Sequence, residues 1–148
     1  MGLDMYLSAK RYMWYNDNGI KGDVAKAFPD LPEGIEPKEV IFEAGYWRKA
    51  NAIHKWFVDN VQDGKDDCGD YWVSDENLDA LLDVCKRVLE DHSLAESLLP
   101  TQSGFFFGGT GYDEYYFSDI ENTVKIIERT KALVEKFPGF EIEYHSSW

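Results

Sequence analysis

The chain has 148 residues and a mass of 17.1 kDa, the length of one domain that buries about two thirds of its unfolded surface, and its 44% hydrophobic and 16% aromatic content allows a core that needs no staples. Net charge is −13, and the whole excess lies in the second part: residues 1–57 carry 8 Lys+Arg against 8 Asp+Glu, residues 58–148 carry 7 against 20. This polarity excludes general binding to nucleic acid or to an anionic membrane, both of which need a basic surface, and leaves room for one local anion site in the neutral part.

In chain order, "LDMYLSA" alternates Leu3, Met5 and Leu7 against Asp4, Tyr6 and Ser8, the period of a strand with one buried face, and "KRYMWY" extends it. Neither this opening nor any later stretch has the unbroken apolar run of a signal peptide or membrane span, so a cytoplasmic protein is expected. Residues 16–37, with Gly19, Gly22, Gly34 and three prolines, predict a long loop or hairpin excursion. "KEVIFEAG" predicts a short strand ending at Gly45.

"GYWRKANAIHKWFVDNVQ", residues 45–62, predicts a helix. On a wheel of about 100° per residue, Tyr46, Trp47, Ala50, Ile53, His54, Phe57, Val58 and Val61 share one apolar sector. Arg48, Lys55 and Asp59 lie opposite, Lys49 and Trp56 on one border, and Asn51 on the other beside Trp47 and His54. "DGKDDCGD" then breaks the helix. A second helix starts at Ser74, a natural N-cap followed by acids, with Leu78, Leu81, Leu82, Cys85, Val88 and Leu89 as its core stripe. "TQSGFFFGGTG" reads as a short apolar strand entering a glycine turn, and Ser118 with Glu121 forms a capping box for a third helix that Pro138 and Gly139 stop. The final "FEIEYHSSW" alternates like the first strand. The expected fold is therefore a single α+β domain over residues 1–148: a small mixed or antiparallel sheet containing both terminal strands, packed on about three helices.

Sequence support for catalysis or cofactors is thin. The glycine loop lacks the Lys-Ser/Thr ending of a phosphate-binding loop and the third glycine of a dinucleotide fingerprint, and there is no nucleophile elbow. The acids at 63, 66, 67 and 70 do not have calcium-loop spacing, and His54, His92, His145, Cys68 and Cys85 do not have zinc spacing. No cofactor and no metal are expected. Cys68 and Cys85 are expected as free thiols, Cys85 as a small buried hydrophobe.

"MGLDMYL", "GYWRKANAIHKWFVDNVQ", "LPTQSGFFFGGTGYDEYYF" and the terminal "SSW" resemble, nearly from end to end, a family of small acidic proteins encoded by phages and prophages. Some members carry the label phosphoglycerate kinase, for which this chain is far too short. The resemblance implies an accessory protein in the host cytoplasm that inhibits or counters host machinery. Joined to the aromatic and glycine content, it leads to a non-catalytic binding protein that captures a nucleotide-like small ligand. The expected site residues are Trp47, Arg48, Lys49, Asn51 and His54 on the first helix and Phe107, Tyr112 and Tyr115 on the glycine loop. Two alternatives stand beside it: an acidic mimic of nucleic acid built on residues 59–91, where 11 acids face 3 bases, occluding a host DNA- or RNA-binding protein, and a small hydrolase or transferase. A homo-oligomer is compatible with either.

Overall fold

The computed structural model describes residues 2–15 and 18–148. Among these residues, four strands form one antiparallel sheet: β1 (Asp4–Tyr12), β2 (Glu39–Arg48), β3 (Asp70–Val73) and β4 (Glu141–Ser147), in the order β2-β1-β4-β3. The two terminal strands are thus the central pair, in register from Asp4 opposite Ser147 to Lys10 opposite Glu141. Their alternation is the one read from sequence. Leu3, Met5, Leu7, Ala9, Ile142 and Tyr144 are buried on one face, while Tyr6, Lys10, Glu143 and His145 lie on the other, partly exposed.

Among the described residues, five α-helices complete the domain: α1 (Asn18–Lys26), α2 (Asn51–Asn60), α3 (Asp75–Glu90), the single turn α4 (Ala95–Leu98) and the long α5 (Glu114–Lys136). The apolar stripes of α2, α3 and α5 cover the buried sheet face, with Ile53, Phe57, Leu78, Leu81, Cys85, Ile120, Ile126 and Ile127 in one cluster. The Phe57 ring stacks on Tyr144, centroids 3.9 Å apart. Cys68 and Cys85 are both free, and burial pushes the Cys85 thiol up to about 12. No helix among the described residues is long and apolar enough to cross a membrane.

Several boundaries differ from the sequence expectation. The expected loop over 16–37 contains helix α1; its first two residues lie outside the described ones. The strand expected to end at Gly45 continues through Tyr46, Trp47 and Arg48, and the following helix starts only at Asn51. Two features account for this. A bulge places Ser8 opposite Glu43 and Leu7 opposite Gly45, leaving Ala44 without an opposite residue. At Gly45 the helix α5 lies so close that an added Cβ would stand 2.3 Å from Ile126 Cγ2. The strand is thus packed directly against α5 at this point. Lys49, at φ 57°, then turns the chain into α2.

Segment 101–111 has no strand; it is an irregular loop with a turn at Phe105–Phe107. Asp113, not Ser118, caps α5, its carboxylate accepting from the Tyr116 N–H at 3.1 Å, so Ser118 lies inside the helix. The cap at Ser74 is as expected, accepting from the Asn77 N–H at 3.1 Å. β3 was not foreseen: only four residues long, it gains its register from pairing with β4.

Candidate functional site

The turn out of β2, the first turn of α2, the glycine loop and the first turns of α5 meet at a cleft of about 370 Å3. Its walls carry Arg48, Lys49, Asn51, Gly108, Gly109, Gly111, Asp113, Tyr115, Ser118 and Asp119. Of the residues singled out from sequence, the structure brings Arg48, Lys49, Asn51 and Tyr115 to this cleft. Trp47, His54 and Phe107 lie in the core behind it, and Tyr112 closes the loop at its base.

The cleft opens on the N-terminus of α2. Ala50 stands at the capping position with no side-chain oxygen to offer, and the N–H groups of Ala52 and Ile53 have no partner among the described residues. Such orphaned donors with the positive end of the helix dipole attract an anion or a hydrogen-bond acceptor. Lys49 and Arg48 add charge at the same place. The Lys49 ammonium has no acidic partner among the described residues, and Arg48 is only 3.7 Å from Asp4 at a half-exposed position.

Asn51 explains how the loop stays there. Its side-chain amide donates to the carbonyls of Phe107 at 2.9 Å and Gly109 at 2.8 Å, while its oxygen accepts from the Gln102 N–H at 2.9 Å. A single buried carboxamide therefore ties both limbs of the loop to α2. The Thr101 hydroxyl donates to the Thr110 carbonyl at 2.9 Å, and the Tyr112 hydroxyl accepts from the Thr101 N–H at 3.3 Å. Gly108 has φ +82°, and a Cβ on it would come within 3.2 Å of Lys49 Cβ, so the loop backbone lies against the lysine stem. Phe107 anchors the loop in the core, edge-on to His54 at 5.3 Å.

The core behind the cleft is a polar chain. Asp66 accepts from His54 Nε2 at 3.0 Å and from the Trp148 indole at 3.0 Å, and His54 Nδ1 lies 2.6 Å from the Tyr144 hydroxyl. A carboxylate can only accept, so the proton sits on Nε2, and Nδ1 accepts the hydrogen bond that the Tyr144 hydroxyl donates. Burial lowers the His54 pKa, with Asp66 opposing, so the ring is neutral. Trp47 donates to the Thr123 hydroxyl at 2.9 Å, which donates to the Asp119 carbonyl at 2.7 Å. These residues hold the site from behind.

Asp119 is the residue that sequence reasoning missed. Its carboxylate lines the cleft without a hydrogen bond or ion pair among the described residues. Burial first, then the nearby charge of Asp113, pushes its pKa up to about 6. The signal for it was the spacing from Tyr115 to Asp119, i to i+4, which puts ring and acid on one face of α5; it becomes visible only once the helix starts at Glu114. No group of three or more His, Cys, Asp or Glu side chains among the described residues could hold a metal ion. No family model, curated protein or solved structure matches the chain.

Proposed function

We propose that this protein binds, without turning over, a small nucleotide-like ligand in the cleft between α2 and α5. The observation that carries this reading is the uncapped N-terminus of α2 opening into a cleft beside Lys49 and Arg48. A phosphate placed there satisfies the free N–H groups of Ala52 and Ile53 and the unpaired ammonium together. Tyr115, 74% exposed on the rim, offers a face on which a planar group can stack. The cleft is less aromatic than the sequence led one to expect, since Trp47, His54 and Phe107 are buried in the core.

The resemblance to phage-encoded proteins gives the capture a setting, the sequestration of a small molecule in the host cytoplasm as a form of inhibition or counter-defence. Mimicry of nucleic acid finds less support. Asp79 on α3 pairs with Lys131 and Asp83 with Arg87, which breaks up the acidic face. A mimic needs an open array of carboxylates.

Calorimetric titration with nucleoside monophosphates and inorganic phosphate tests the reading. Binding is expected in the wild type, weakened about tenfold, or roughly 1.4 kcal/mol, by Lys49→Ala. Equal binding by wild type and by a Lys49→Ala, Arg48→Ala double variant would refute it.

A further inference from the structure

We infer that the cleft selects a guanine base, with Asp119 accepting from the two adjacent N–H donors of its Watson–Crick edge. This rests on the proposed capture of a nucleotide-like ligand and specifies which one. The Asp119 carboxylate is mismatched with its surroundings. A carboxylate has two oxygens that accept and none that donates, and here the half-buried Asp119 lines the cleft wall with no partner for its carboxylate among the described residues. Nothing among the described residues pairs with that charge. Asp113, the acid whose charge bears on Asp119, is occupied as the cap of α5, and the cations of the cleft, Arg48 and Lys49, make no ion pair with Asp119.

An ionised group left this way costs stability unless a ligand answers it. The raised pKa of Asp119 is the sign of that cost. The answering group has to present two donors side by side, be flat enough to stack on Tyr115 one helical turn back, and carry an anion for the α2 terminus. Among the common bases, guanine alone has a ring N–H next to an exocyclic amino group; adenine offers an amino group next to an acceptor, which meets the second carboxylate oxygen with repulsion. Reading a base by its Watson–Crick edge while stacking it on an aromatic side chain is a general mode of recognition.

The experiment is a calorimetric comparison of guanosine, inosine, adenosine and xanthosine monophosphates with the wild type and Asp119→Asn, at a pH of about 7.5 where the carboxylate is ionised. The wild type is expected to prefer guanosine monophosphate about tenfold over inosine monophosphate, which lacks the amino group, and over adenosine monophosphate. Asp119→Asn replaces one acceptor by a donor. It should lose guanosine monophosphate and gain xanthosine monophosphate, whose carbonyl stands where the amino group was. A gain of binding cannot come from misfolding. Equal affinity for guanosine and adenosine monophosphates, unmoved by Asp119→Asn, would overturn the base assignment and leave ligand capture standing. Absence of binding by all four would overturn both.

Discussion

The side-chain nitrogen of Asn51 lies 2.8 Å from the carbonyl oxygen of Gly109, a bond between the first residue of a helix and a glycine loop almost sixty positions later. Sequence reading placed Asn51 on a helix border as a ligand contact. Its bonds show that it is first of all the tie that builds the cleft, with only its remaining edge facing the wall.

Asn51→Ala leaves the Phe107 carbonyl and the Gln102 N–H without their partner in a part-buried place. A loss of about 1 to 3 kcal/mol in urea unfolding is expected. Asn51→Asp should cost at least as much, because it points a carboxylate at two carbonyl oxygens. Hydrogen exchange should show faster opening over 101–111 in both variants. Unchanged exchange there would mean that the loop is held by Phe107 and Thr101 alone.

Asp119 makes a prediction about pH. Its folded pKa, about 6, lies above the ordinary 3.8, so between those values the native state keeps a proton that the unfolded chain has released. Stability owed to this group therefore rises as pH falls through 6, and above 6 the ionised carboxylate costs free energy. Asp119→Asn should stabilise the unliganded protein above that pH, by about 1 to 2 kcal/mol after allowing for partial exposure. The gain should fade toward pH 4. A variant no more stable than wild type at pH 8 would contradict the unpaired, half-buried carboxylate.

His54 has the opposite sign. Burial depresses its pKa, so as pH falls below the ordinary 6.5 the unfolded chain takes up a proton that the native ring refuses. The contribution is complete above pH 6.5 and drains away below it. Comparing wild type with His54→Gln in urea at pH 7.5 and 5.5, the stability advantage of the wild type should shrink at the lower pH. A constant advantage would show that the ring is not held neutral between Tyr144 and Asp66.

What was legible in the sequence follows from which forces are local. β1 and β4 were readable because strict alternation has one explanation, a half-buried strand, and Ser74 with its acids was readable because capping needs only neighbours. The end of β2 was not. Tyr46 and Trp47 fit a helical stripe as well as a strand, the bulge at Ala44 spoils the period-two pattern, and the positive φ falls on Lys49, where no glycine announces it. The site inherited that error. With the helix begun at Gly45, Trp47 looked like part of its apolar sector beside the Asn51 border, and the real N-terminus at Asn51, with its free donors, was hidden inside the segment. Free donors and an unpartnered carboxylate are defined by what fails to meet them in space, which no spacing rule reports.

The contact that fixes the strand can be tested on its own. Gly45 is buried in β2, and a methyl group there would stand 2.3 Å from Ile126 Cγ2 and 3.0 Å from its Cδ1. No real pair of carbons comes so close, so either α5 retreats or β2 shifts, and Gly45→Ala should cost about 1 to 3 kcal/mol. Ile126→Ala removes both offending carbons and by itself leaves a core cavity worth about 2 to 5 kcal/mol. The two changes share one space: the new methyl partly fills what the isoleucine vacates. The double variant should therefore be less destabilised than the sum of the singles by about 1 kcal/mol or more in urea unfolding. Strict additivity would show that α5 does not bear on Gly45, and the close approach that keeps Tyr46 and Trp47 in the strand would lose its basis.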